Sequence, residues 1–326
     1  MADVAVLAGV SHMTVSRVLN DPASVKPETR ERVLSAMQSL GYRPNTVARA
    51  LATGRTRSLG VVALATALYG PTSTLLAIEA AARTAGYNLD LVRLRSFTRR
   101  SMGEAADGLQ QRGVDGIIVI APHTWAIKTL QSAVDGVPLV AVEGGAGRLP
   151  TVAVDQEKGG ALATEHLLAL GHSSVWHVGG PKDWLEAKAR ERGWREVLSA
   201  AGQSAPPVLP GGWGVRSGYQ AGRRLVAEQG VSAVFVANDQ MALGVLRAFH
   251  EAGIEVPGQV SVVGFDDVPE AAYFTPPLTT VRQDFDEVGR RALQLLLEQM
   301  AGASLGEHHL VVKPRLVVRQ STAPPP

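Results

Sequence analysis

The sequence predicts an α/β protein: a small helical head followed by a two-lobed core of parallel sheets. Three observations lead there. Short runs of Val, Ile, Leu and Ala alternate with helix-length segments over most of the chain. A separate helical pattern with its own glycine turn occupies the first forty residues. At 326 residues, the chain exceeds what one ordinary domain holds, so a small unit plus a large split one is expected. Hydrophobic residues make up 45% of the chain and aromatics only 5%, a balance suited to sheets built on small aliphatic side chains.

In the head, Asp3 to Ala8 reads as a short helix that stops at Gly9, a residue suited to the left-handed turn after a helix. Ser11 then caps a second helix, His12 to Asn20. Its Val15, Val18 and Leu19 form an apolar stripe, while His12, Met13, Ser16 and Arg17 face elsewhere. Two short helices joined by a glycine-containing turn make a helix-turn-helix. A third helix over 28–40 is expected to close a small core with Val33, Leu34, Met37 and Leu40, and to end at Gly41.

Beyond the head, runs at 59–65, 88–94, 114–120, 137–142, 174–178, 232–237 and 260–264 read as strands covered on both faces, because they are almost continuously apolar. The segments 72–86, 101–112, 123–134, 156–170, 186–201, 215–229 and 238–253 are of helix length. Repeated strand-helix units imply parallel sheets with helices on both sides.

Charge is unevenly placed. Residues 1–57 hold eight Lys or Arg against four Asp or Glu, so the head is +4 and the remainder −2 in a chain whose total is +2. That asymmetry points to a polyanion as partner of the head. The absence of cysteine excludes disulfides, a thiol nucleophile and thiolate metal sites. No apolar leader or stretch long enough to span a bilayer is present, so a cytoplasmic, nucleoid-associated protein without a membrane partner is expected.

Ligands of parallel α/β sheets sit beyond the carboxyl ends of the strands. The residues there are Leu68 to Pro71, Pro122-His123, Glu143, the segment Gly179 to Arg190, Trp213, Asn238-Asp239 and Asp266-Asp267. Carboxylates and amides for hydroxyl pairs, a guanidinium fork and an indole face form a carbohydrate-binding set. Asn238 or Asp266 could instead simply cap the helix that follows, and Trp213 could be packing. No G-x-S-x-G elbow, P-loop, H-E-x-x-H or strand-linked G-x-G-x-x-G occurs, and the histidines are scattered, so no enzyme and no cofactor are expected. A periplasmic sugar-binding protein would need an export signal and no basic head, and the sequence has the opposite of both.

Residues 3–20, Asp-Val-Ala-Val-Leu-Ala-Gly-Val-Ser-His-Met-Thr-Val-Ser-Arg-Val-Leu-Asn, and 42–51, Tyr-Arg-Pro-Asn-Thr-Val-Ala-Arg-Ala-Leu, resemble the headpiece of the lactose-repressor family. Val236 to Gly244, Val260 to Asp267 and Pro276 to Phe285 are similar to that family's effector-domain motifs, so the resemblance spans nearly the whole chain. It implies a transcriptional repressor with a periplasmic-binding-protein-like core. The expected divisions are a helix-turn-helix head at 1–44 and a hinge helix and linker at 45–58. The core at 59–326 then splits into lobe 1 (about 59–155 and 284–307) and lobe 2 (about 156–283 and 308–326).

The resemblance also implies roles. The start of the second helix enters the major groove of double-stranded DNA, so His12, Met13 and Arg17 read bases, and Arg17 can offer two donors to guanine. Thr14 and Ser16 are phosphate ligands or solvent-facing hydroxyls. Asn45, Thr46, Arg49 and Leu51 lie in a hinge helix whose leucine wedges into the minor groove. In the core, Arg190, Asn238 and Asp266 resemble the family's hydroxyl ligands, Trp213 and Phe285 its stacking walls, and Gln283 a crossover contact. Leu68 and Pro71 resemble the apolar wall of the opposite lobe. Glu143 stands where the family usually has Asp, and Trp184 and Glu186 replace small hydroxyl residues. A homodimer reading a near-palindromic operator is expected, controlled by a neutral sugar such as a galactoside. The alternative is a purine or phosphorylated metabolite, or action with a corepressor.

Overall fold

The computed structural model describes residues 1–42, 54–121, 123–134, 136–144, 149–303 and 308–326. The chain divides into two compact units, Met1–Arg57 and Ser58–Pro326. The expected hinge positions Asn45, Thr46, Arg49 and Leu51 lie outside the described residues, as does Pro122.

The head consists of α1 (Ala2–Ala8), α2 (His12–Asn20) and α3 (Pro27–Ser39), with one turn of 3-10 helix at Pro22–Ser24. Gly9 follows α1 at φ 62°, where a side chain would be strained. The Ser11 hydroxyl accepts the Thr14 backbone N–H at 3.1 Å and so caps α2. Val4, Ala5, Ala8, Val15, Val18, Val33 and Ala36 form the core, with Leu19, Met37 and Tyr42 partly buried against it. The expected core residues Leu34 and Leu40 are exposed instead, at 49% and 47%. Val33, Ala36 and Met37 set the inward face of α3. Leu34 stands about 100° round the helix from Val33, and Leu40 falls at the cap, past the last helical residue.

The second unit holds two six-stranded sheets of the same design. In lobe 1, β1 (Ser58–Leu64), β2 (Asn88–Leu94), β3 (Gly116–Ile120), β4 (Leu139–Val142), β5 (Thr151–Val154) and β11 (His309–Val312) lie in the order β11-β5-β4-β3-β1-β2, all parallel. Its helices are α4 (Tyr69–Thr84), α5 (Arg99–Gln111), α6 (Thr124–Ala133) and α11 (Phe285–Met300). In lobe 2, β6 (Trp176–Gly179), β7 (Leu209–Pro210), β8 (Ala233–Val236), β9 (Ser261–Asp266), β10 (Thr279–Arg282) and β12 (Arg315–Val317) lie in the order β12-β10-β9-β8-β6-β7, parallel except for β12. Around it pack α7 (Gln156–Ala169), α8 (Leu185–Ala200), α9 (Val215–Ala227) and α10 (Asp239–Glu251). Among the described residues no single helix is long and apolar enough to cross a membrane.

Both faces of each sheet are covered, which is why the strands read as unbroken apolar runs. In β1, Leu59, Val61 and Ala63 enter one core while Val62 enters the other. The chain crosses between lobes three times: at Asp155, at Gln283-Asp284 and at Lys313-Pro314. The last crossing falls later than the expected boundary at 308. Residues 309–312 pair in parallel with β5 of lobe 1, and only β12 belongs to lobe 2. A four-residue strand whose partner lies over 150 residues away leaves no local signal of which sheet it joins.

Helices α7 and α8 cross through Gly160 and Gly193. A Cβ on Gly160 would overlap the Arg190 carbonyl oxygen, and one on Gly193 the Glu157 carbonyl oxygen. This close approach fixes the N-terminal turns of α8, and Arg190 with them, beside the chain crossings.

Candidate functional site

In the head, His12, Met13 and Arg17 are exposed along α2, with Met13 at 66%. An apolar side chain that far out of a core this small contributes nothing to its packing. Thr14 and Ser16 are half-buried. The Thr14 hydroxyl lies 2.9 Å from that of Ser11, so it belongs to the helix cap.

In the core, all nine residues picked out from the sequence, Leu68, Pro71, Glu143, Arg190, Trp213, Asn238, Asp266, Gln283 and Phe285, line one cavity between the lobes. Lobe 1 supplies an apolar wall from Leu68, Pro71, Ile120 and Phe285, with Glu143 at its edge. Lobe 2 supplies Trp184, Glu186, Arg190, Trp213, Asn238 and Asp266.

A continuous hydrogen-bond chain runs across the crossings. Gln156 donates to Glu143 at 3.1 Å and to Gln283 at 2.8 Å, and Gln283 donates to Asp266 at 2.7 Å. Arg190 donates through Nε to Gln156 at 2.8 Å and through Nη1 to the Ala237 carbonyl, with Nη2 3.8 Å from Asp266. Its guanidinium lies 3.7 Å above the Phe265 ring and 5.4 Å from that of Trp213. Asn238 does both things expected of it: it accepts the Met241 N–H as the cap of α10, and it lines the cavity.

Burial pushes the Asp266 carboxyl up to about 6 despite Arg190 beside it. Burial, reinforced by the charge of Glu143, pushes Glu186 up to about 8. Glu143 is raised by burial as well. Among the described residues, five non-glycine residues have positive φ, and three of them, Glu143 (69°), Trp213 (67°) and Asp266 (109°), line this cavity. Backbone strain gathered at one site marks a constellation held for use rather than for stability.

Of the single strand-end residues singled out earlier, Asp239, Asp267 and His123 do not line the cavity. Asp239 is buried in lobe 2, accepting from the Val268 N–H and the Thr280 hydroxyl. Asp267 is tied to Arg282 and Arg319, pinning the C-terminal segment to lobe 2. His123 instead bridges the lobes beside the cavity: its Nδ1 lies 3.1 Å from the Asp183 carbonyl of lobe 2, and its ring stacks on Trp125 and meets the edge of Trp184. Gln156, the node of the polar chain, escaped sequence reasoning because the short strand β5 that delivers it did.

Comparison with known proteins now identifies the fold's relatives. Residues 1–45 match the model of the bacterial regulatory proteins of the lacI family, and residues 164–322 that of a periplasmic binding protein-like domain. The chain is 33% identical to the lactose operon repressor of Escherichia coli (strain K12), covering 99% of this chain and 90% of that protein. This chain belongs to the lacI family. It is 32% identical to the HTH-type transcriptional repressor PurR of Haemophilus influenzae (strain PittEE), over 98% of this chain and 97% of that protein. Its structure superposes on that of the lac repressor dimer bound to operator and the anti-inducer ONPF with a TM-score of 0.87, at 33% identity and 98% coverage of each chain. As a lacI-family member it is a DNA-binding transcriptional repressor and not an enzyme. Its head and core correspond to the two parts of that family.

Proposed function

We propose that this lacI-family protein is a homodimeric repressor that holds a near-palindromic operator through α2 and releases it when a small saccharide, a galactoside or a related sugar, fills the cavity between its lobes. The observation that carries this reading is that nine residues, seven of them at strand ends and two carried by the family resemblance, meet in one cavity with carbohydrate chemistry. Asp266, Asn238 and Arg190 serve hydroxyl groups, Trp213 and Phe285 stack on the sugar's C–H faces, and Leu68 and Pro71 close the apolar side. On DNA, Arg17 pairs with guanine and Met13 touches a thymine methyl, with His12 reading a neighbouring base. Thr14, Ser16, Asn45, Thr46 and Arg49 serve the phosphate backbone and the hinge, and Leu51 wedges the operator centre.

A purine effector is the competing reading, given the purine-repressor name among the relatives. A phosphorylated metabolite is disfavoured. Among the described residues the one cation lining the cavity, Arg190, is committed to Gln156, Ala237 and Asp266, while three carboxyl groups face the same space.

The test is a thermal-shift screen of mono- and disaccharides alongside purines, because a selective ligand stabilises the fold by mass action. Operator affinity is then measured with and without the hit. Salt-sensitive binding to a palindrome, weakened by a sugar, is expected. Stabilisation by a purine alone would transfer the site to the competing reading, and tighter operator binding with sugar would make the ligand a corepressor. Arg17→Ala should cost about 1–3 kcal/mol per half-site and relax preference at one base pair.

A further inference from the structure

Among the described residues the cavity is over-supplied with carboxyl groups. Glu143, Glu186 and Asp266 line it against Arg190, whose nitrogens are already engaged within the polar chain. The carboxyls are not equivalent. Asp266 has Gln283 and Arg190. Glu143 has the Val154 N–H at 3.2 Å on one oxygen and Gln156 on the other. Glu186 turns back on its own backbone N–H, and its Oε2 is buried with no hydrogen-bond partner. A second orphan stands in the same lining: the indole Nε1 of Trp213, a residue only 6% exposed. The rings of Trp184 and Trp213 are 5.5 Å apart there, and Phe285 lines the wall supplied by lobe 1.

We propose that the Glu143–Glu186 side of this cavity is a subsite for a protonated amine, and that the effector is an amino sugar or a comparably small amine-bearing polyol. This rests on the reading of the cavity as the effector site, and it replaces the expectation of a neutral sugar with a cationic one. An ammonium group is all donor and no acceptor, which is what a buried, partnerless carboxylate oxygen lacks. It also supplies the cation that pairs with the Glu186 carboxylate once its proton has left, and the aromatic walls favour a cation over their faces. A neutral hydroxyl satisfies the orphan oxygen but forms no ion pair there, and an anionic group is repelled by the neighbouring carboxyls. The Trp213 N–H then takes a ring or hydroxyl oxygen of the same ligand. In the empty cavity burial holds a proton on Glu186, with Glu143 and Asp266 as its acidic neighbours and Arg190 as the nearby cation. An ammonium entering beside it displaces that proton to solvent, so binding releases acid.

The experiment is calorimetric titration of the full-length protein at pH 7 in two buffers of different ionisation enthalpy. The probes are matched pairs: galactosamine and galactose, glucosamine and glucose, and the glucosamine disaccharide and cellobiose. For at least one pair the amine is expected to bind tenfold or more tightly than its hydroxyl counterpart with net proton release, and Glu186→Gln is expected to erase that preference, the amine losing more affinity than its hydroxyl counterpart. Glu143→Gln should weaken the preference in the same direction. Glu186→Gln keeps the shape and neutrality of the protonated acid, so it should fold, which circular dichroism checks. Equal or tighter binding of the hydroxyl sugars overturns the amine subsite while leaving the effector cavity standing. An amine preference that survives in Glu186→Gln overturns its assignment to this residue. If no member of any pair binds, the saccharide reading and this one fail together.

Discussion

The two units of this chain set their recognition chemistry on opposite sides of their cores. In Met1–Arg57 seven small buried residues hold three helices together, and the side chains expected to meet DNA, His12, Met13 and Arg17, are left outside. In Ser58–Pro326 four apolar clusters sandwich two sheets, and the residues expected to meet a ligand are drawn inside as a buried polar chain from Glu143 to Arg190. The difference teaches where each unit is vulnerable. Changing a recognition residue of the head should cost binding and little stability, whereas in the core the same residues carry both.

The strongest test of that contrast is Arg190→Ala. Arg190 is 5% exposed, and its loss strands Asp266 and Gln156 in a buried site, so the core should lose about 3–5 kcal/mol. Scanning calorimetry should show the core transition falling while operator binding survives at lower temperature. A loss below about 1 kcal/mol would break the comparison.

Acid should act on the core next. Burial lowers His177 to about 4, so the unfolded chain, with histidine near 6.5, takes up protons first. The stability from neutral His177 is complete above about pH 6.5 and drains away as pH falls toward 4, by roughly 3 kcal/mol at about 1.4 kcal/mol per unit. Glu186 works the other way. Its folded value is raised to about 8, so its contribution is complete below the usual carboxylate range and is lost as pH rises through 8. Denaturant melts from pH 4 to 9 should therefore show stability falling toward alkali, and Glu186→Gln should flatten that fall.

Val15→Ala sharpens the comparison from the other unit. Val15 is fully buried in a core of seven residues, and roughly 2 kcal/mol lost there is a large share of what so small a unit holds. Operator binding should fall steeply while cavity ligands bind as before, which gel shift and calorimetry on one preparation would separate. Smallest is Ser11→Ala, which removes the cap of α2 and should cost about 1 kcal/mol, seen as a lower melting point of the head by circular dichroism.

The parts of this architecture written in local patterns were legible in the sequence. Gly9 and Ser11 bound the helix-turn-helix, and doubly covered strands such as β1 and β3 announce themselves as apolar runs. The strand-end rule found most of the cavity residues because position along a strand is a local property, whereas Gln283 and Phe285 came only with the family resemblance. What escaped was decided by partners distant in the chain. Strands β5, β7, β10, β11 and β12 have two to four residues each and owe their existence to neighbours in the sheet. The helix at Phe285–Met300 is a different case: its buried Phe285, Val288, Ala292, Leu293 and Leu296 keep helical spacing, and the signal was there to be read. Leu34 and Leu40 were placed inside because their apolarity was counted without the phase set by Val33 and Ala36. The positive φ of Glu143, Trp213 and Asp266, and the orphan atoms of Glu186 and Trp213, exist only once the lobes are assembled.

The indole rings at the cavity have an optical consequence. Of the five tryptophans in the chain, Trp184 and Trp213 face the same space with their rings 5.5 Å apart, and Trp125 joins them through the stacked ring of His123. Any small molecule that fills the cavity comes against two of the chain's main fluorophores, changing both their polarity and their coupling to one another. Emission wavelength and near-ultraviolet dichroism should therefore report occupancy without a label, and Trp184→Phe should silence part of that signal while leaving Trp176 and Trp194 as a constant background.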